Sequence, residues 1–216
     1  MIKVIFITLL ILLFLTGLVY LFNKKNKGYD QSWNFVDHVV CITFNKDKKY
    51  QDELRKRLSF IKPQSQIIIF KGYNDFGLLG YVRSHAFVLK NAIKNKWKNV
   101  LIIDDNTFWN NYEQNYKLLQ NIVSKNPNYD VISLGNNNIS YDPNTFKLKS
   151  GENITGYLVN GPYLKKLYNI FNNSEDSIRS LNSIKNVKLK REMEKEYRPD
   201  NMWKTFQEKD NWFVVH

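Results

Sequence analysis

The sequence predicts an α/β fold: a mostly parallel central sheet flanked by helices, preceded by one N-terminal transmembrane helix. Three observations predict it. Short β-branched runs alternate with longer stretches whose apolar residues recur at helical spacing. One of those runs, at 99–103, is apolar on both faces, as a central parallel strand is. The first charge-free stretch, Val4 to Phe22, is 19 residues long.

That first stretch is interrupted only by Thr8, Thr16, Gly17 and Tyr20, and as a helix it rises about 28 Å, close to the ~30 Å of a bilayer core. It exceeds the apolar core of a cleaved signal peptide and ends in Leu21, Phe22, Asn23, Lys24 and Lys25, which offer no good cleavage site. Residues 1–23 are therefore expected to be a single-pass anchor. Lys24, Lys25 and Lys27 lean the orientation toward a cytoplasmic C-terminal domain. Three Asn-x-Ser/Thr sequons would argue the other way, but a chain this rich in Asn carries about that many by chance. The side of the membrane stays open.

Residues 24–35 read as a polar linker, and 36–216 as one domain. Within it, 36–44 is a strand, 48–60 a helix with Leu54 and Leu58 one turn apart, and 66–70 a second strand stopped by Gly72. Leu79, Val82, Ala86, Leu89 and Ile93 mark a long amphipathic helix over 77–96. The strand at 99–103, a helix at 116–123 and a strand at 129–135 follow. A polar hairpin region, 136–152, leads to the apolar run 155–159. Gly161 and Pro162 open a helix over 163–171. The segment 185–198, with six basic residues and three Glu, reads as a solvated helix face or surface loop.

Composition narrows the function. With 43% apolar and 15% aromatic residues the chain can bury a core, and its single cysteine excludes a disulfide scaffold or a thiolate zinc site. The formal charge of +12 suggests nucleic acid, but no helix-turn-helix, RNP or zinc pattern accompanies it. Residues 1–35 contribute four Lys and one Asp, which leaves +9 on the domain. Such a field suits a nucleotide diphosphate or an anionic lipid surface.

The sharpest local feature is the strand 101–103 running into Asp104, Asp105 and Asn106. Ligands of open α/β sheets bind beyond the carboxyl ends of the strands, and carboxylates there suit Mg²⁺ or Mn²⁺ with substrate phosphates. The same residues could equally be a turn capping the next helix.

The company of that hexapeptide resembles glycosyltransferase family 25, which includes lipopolysaccharide-type and collagen galactosyltransferases. The stretch Gly77, Leu78, Leu79, Gly80, Tyr81, Val82, Arg83, Ser84, His85 is similar to the family's Gly-Glu-x-Gly-Cys-x-x-Ser-His. A helix, an acid-ended apolar strand, the run Tyr129 to Gly135, then Thr155, Gly156, Tyr157, and finally Pro199 and Asp200 follow in the family's order. Departures are Leu78 for Glu, Tyr81 for Cys and Asn106 for the last acid.

The resemblance implies a metal-dependent GT-A-like fold and a membrane-anchored transferase. The donor would be a nucleotide-sugar, UDP-linked, and the acceptor a glycan, lipid-linked or protein group. It implies Asp104, Asp105 and Asn106 at Mn²⁺ (or Mg²⁺), with Ser84, His85, Asp104, Gly156 and Tyr157 at the donor. Asp200 would be the base, with Glu152 a second candidate. His85 could instead be a packed core residue, and Asp200 the N-cap of a helix starting near Asn201. Leu78 and Asn106 also fit an inactive, glycosyltransferase-like binding module.

Overall fold

The computed structural model describes residues 31–75, 77–107, 112–134, 137–152 and 155–215. In chain order the elements are β1 (His38–Thr43), α1 (Lys48–Arg57), β2 (Ile67–Lys71), α2 (Leu78–Lys94), β3 (Asn99–Asp104), α3 (Tyr112–Lys125) and β4 (Val131–Leu134). Then come β5 (Asn137–Tyr141), β6 (Leu148–Glu152), β7 (Gly156–Asn160), α4 (Leu164–Ser180), α5 (Val187–Glu196), α6 (Pro199–Lys209) and β8 (Trp212–Val215).

Six strands make one sheet in the order β2-β1-β3-β7-β4-β8. Five run in one direction and β7 alone runs against them, between β3 and β4. The sheet is thus mostly parallel, as expected. The reversal of β7 follows from its arrival through the β5–β6 hairpin, which brings the chain back at the carboxyl edge of β3. There Asp104 N–H donates to the Thr155 carbonyl at 2.8 Å.

Both faces of the sheet are covered. Val40, Ile42, Val100, Ile102 and Tyr157 meet Val82 and Leu89 of α2, Leu167 and Phe171 of α4, and Trp203 of α6. Val39, Leu101, Ile103 and Leu158 meet Leu119 and Ile122 of α3, Ile61 and Trp33. Alternation along β3 sends its residues to opposite faces, which is why a run without polar residues sits at the centre.

The end of the expected linker carries a packed side chain, Trp33. Residues Gln31–Phe35 form a 3-10 turn, and Trp33 is buried with its ring 4.7 Å from that of Tyr116. Trp33 and Phe35 both pack on the core beneath the sheet, ahead of residue 36. Among the described residues no helix is long and apolar enough to cross a membrane, and the anchor expected over 1–23 lies outside them.

Candidate active site

A cavity of 570 Å³ opens at the carboxyl edge of the parallel strands. Asp104, the last residue of β3, and Thr155, just before β7, form its floor. The start of α2 contributes Gly77, Leu78 and Tyr81. The third wall comes from α5, with Arg191, Glu194 and Lys195, and from the α5–α6 junction, with Arg198, Pro199 and Asp200.

His85 positions Asp104 from beneath. Its ring is wholly buried, stacked on Phe171 at 5.1 Å and 8°, and its Nδ1 lies 2.9 Å from the Tyr157 hydroxyl. Its Nε2 stands 3.2 Å from Asp104 Oδ1, outside hydrogen-bond geometry, so this contact is electrostatic. The ring is thus hydrogen-bonded to Tyr157 through Nδ1 and turns Nε2 toward the Asp104 carboxylate. Tyr81 tilts over the same ring at 4.3 Å. Burial, then the carboxylate of Asp104, then Tyr157 and Asp200 push the Tyr81 hydroxyl well above its ordinary range, which keeps it a neutral group on the cavity wall.

Glycines and Ser84 set the α2 wall. Gly77 precedes α2 with φ +60°, a left-handed conformation that favours glycine. A Cβ at Gly80 would fall 2.5 Å from the Tyr73 carbonyl and 2.6 Å from that of Asp75. Ser84 Oγ accepts from Tyr73 N–H at 2.9 Å and donates to the Gly80 carbonyl at 2.6 Å. Ser84 thus fastens the loop before α2 to the helix and does not line the cavity.

The opposite wall is fastened by residues that sequence reasoning passed over. Gln207, wholly buried on α6, accepts from Gly151 N–H at 2.8 Å and donates to the Gly151 carbonyl at 3.1 Å, tying α6 to β6. Ser174 of α4 donates to the Tyr197 carbonyl at the α5–α6 junction. Arg198 is the N-cap of α6 and Pro199 opens it, so Asp200 lies in the first turn and is not the cap. An acid there is favoured by the helix dipole and still faces the cavity.

The expected site residues therefore divide. Asp104 and Asp200 come together on one cavity, and the departures Leu78 and Tyr81 line it as well. Tyr157 and His85 support it from below, whereas Gly156 is buried in the sheet opposite Ile103 and lines none of it. Glu152 is bound to Lys204 at 2.5 Å, outside the cavity. Asp130 is structural, its carboxylate accepting from Asn211 N–H at 2.9 Å. Cys41 is buried, and burial, with Asp105 and Asp104 nearby, pushes its thiol up to about 12.

Asp104, Asp105 and Asn106 do not make one ligand set. The Asp105 carboxylate accepts from Thr43 Oγ1 at 2.5 Å and faces the Tyr50 hydroxyl at 3.5 Å, and it lines none of the cavity. Asn106 is exposed and lies outside the cavity as well. Among the described residues no three His, Cys, Asp or Glu side chains gather to hold a metal ion. Of the three, Asp104 alone faces the cavity. Arg191, Lys195 and Arg198 are exposed, as expected of the segment 185–198, and they also line the cavity, with Arg191 and Lys195 four residues apart on one helical face.

No protein-family model matches the chain, and no curated protein matches it. Among solved structures, the chain is similar to mannose-1-phosphate geranyltransferase from Thermus thermophilus, with a TM-score of 0.46 and 9% identity over 82% of this chain and 73% of that one. It is also similar to a glycosyltransferase involved in the glycosylation of the major capsid of PBCV-1, with a TM-score of 0.39 and 14% identity over 82% of this chain and 92% of that one.

Proposed function

We propose that this protein is a glycosyltransferase of GT-A type. It moves a sugar from a nucleotide-sugar donor, UDP-linked by the family resemblance, to a glycan, lipid-linked or protein acceptor. One observation carries the reading: Asp104 and Asp200, far apart in the chain and both singled out by their motifs, line the same cavity. The acceptor hydroxyl attacks the anomeric carbon while its proton passes to the Asp200 carboxylate. The bond from that carbon to the phosphate oxygen breaks, and its electron pair leaves on the diphosphate. Asp104, with His85 Nε2 beneath it, accepts hydrogen bonds from donor hydroxyls, and Leu78 and Tyr81 offer an apolar face to the sugar ring.

The test is UDP release from a panel of UDP-sugars by the full-length chain, with Asp200→Asn as control. Turnover that falls by about 10²–10⁴-fold in Asp200→Asn, with donor KM little changed, is the expected result. No consumption of any nucleotide-sugar, or an Asp200→Asn variant as active as the parent, would refute it. UDP binding without turnover would favour a non-catalytic binding module, a reading supported by Leu78 standing on the cavity wall where the family carries Glu.

The charge-free run at 4–22 supports a single-pass anchor holding this chemistry at a membrane surface. Retention in the membrane pellet after alkaline carbonate extraction is the expected result; release into the supernatant would remove the anchor.

A further inference from the structure

The third wall of the cavity carries charges that the transfer step above does not use. Arg191 and Lys195 stand one turn apart on α5, Arg198 lies just beyond it at the α5–α6 junction, and all three line the cavity. α5 buries none of its residues in the fold. Core packing therefore does not account for this face. Among the described residues none of the three forms an ion pair, whereas Arg83, Arg179, Lys166 and Lys204 each do. The same cavity carries three carboxylates, Glu194 beside them on α5, Asp104 on its floor and Asp200 in the first turn of α6.

A reaction that expels a diphosphate needs positive charge where negative charge develops. The carboxylates expected to recruit that charge as a metal ion are divided, because Asp105 is committed to Thr43 and Tyr50. We propose that Arg191, Lys195 and Arg198 are the diphosphate subsite, so that side-chain cations meet the charge of the leaving group. This rests on the glycosyltransferase reading of the cavity and deepens it. The two guanidinium groups present planar forks that match phosphate oxygens two at a time, and Lys195 adds a point charge between them. As the bond to the sugar breaks, the electron pair settles on a phosphate oxygen already facing these donors. The ligand class is a nucleoside diphosphate, and its recognition by this wall needs no divalent ion.

The test is UDP binding to the full-length chain by calorimetry in EDTA, for the parent and for Arg191→Gln/Lys195→Gln/Arg198→Gln. Uridine, inorganic pyrophosphate and farnesyl diphosphate serve as the comparison ligands. UDP should bind in EDTA, weaken as salt rises, and lose about 10-fold in affinity for each cation removed. Uridine binding should stay unchanged. Because Arg198 sits at the N-cap position of α6, the double variant Arg191→Gln/Lys195→Gln leaves the junction untouched and should still lose about 100-fold. UDP binding that requires Mn²⁺ and ignores both variants would overturn the subsite while leaving the glycosyltransferase reading standing. UDP failing to bind with or without metal would overturn both. Farnesyl diphosphate binding more tightly than UDP would reassign these cations to a lipid-linked diphosphate and overturn the donor assignment.

Discussion

Tyr157→Phe tests the support beneath Asp104. The substitution keeps the ring, with its edge-on contact to Trp203 at 6.2 Å, and removes only the hydroxyl 2.9 Å from His85 Nδ1. His85 is 0% exposed and Tyr157 1%, so no water replaces the lost partner. A buried nitrogen left without a partner costs about 1–3 kcal/mol. For a chain of 216 residues each kcal/mol lowers Tm by about 2–4 °C, so the expected fall is about 2–12 °C. Urea unfolding of the parent, Tyr157→Phe, His85→Phe and the double variant gives the coupling directly. The double variant should cost less than the sum of the singles by about 1 kcal/mol, because it leaves neither partner stranded. A Tyr157→Phe variant within about 0.3 kcal/mol of the parent, together with additive singles, would refute the reasoning.

Gly80→Ala should destabilise the protein by about 1–3 kcal/mol, because its methyl would collide with the carbonyls of Tyr73 and Asp75, which are backbone and cannot swing aside. An unchanged melting temperature would remove that constraint. Asp210 is pushed up by burial, but hydrogen bonds from Lys166 and Tyr163 outweigh this and hold its carboxyl below the usual value of 3.8. A lowered folded-state pKa contributes stability that is present above the unfolded value and lost as pH falls through the folded one. The stability gap between the parent and Lys166→Met should therefore be full above about pH 4 and close in stronger acid; a gap that ignores pH would contradict the pairing.

Much of the fold was legible because its signals are local. The run 101–103 without polar residues is the buried centre of the sheet, and its carboxyl end delivers Asp104 to the cavity as strand-edge reasoning expects. Adjacency misled at the next residue. Asp104 and Asp105 look like a pair in sequence, yet consecutive residues at a strand end leave in opposite directions, one toward His85 and one toward Thr43. Strand β8 was missed because four residues after a polar turn carry little pattern of their own. It is a strand through its pairing with β4, Trp212 beside Val131, which no local window contains. Trp33 was hidden by polar neighbours, and its burial depends on Tyr116 and Phe60 from distant segments. The bases of α5 read as solvated for the same reason. Only the placement of the α5–α6 junction by Ser174 and Gln207 shows that they face a cavity.

Sugar transfer from a nucleotide donor is proposed for the cavity that Asp104 and Asp200 line. A crystal structure of the full-length chain with a non-hydrolysable UDP-sugar analogue tests it most directly. The account predicts the analogue inside the 570 Å³ cavity, its anomeric carbon facing the Asp200 carboxylate. An analogue bound elsewhere on the sheet edge, or a cavity still empty at saturating analogue, would contradict it.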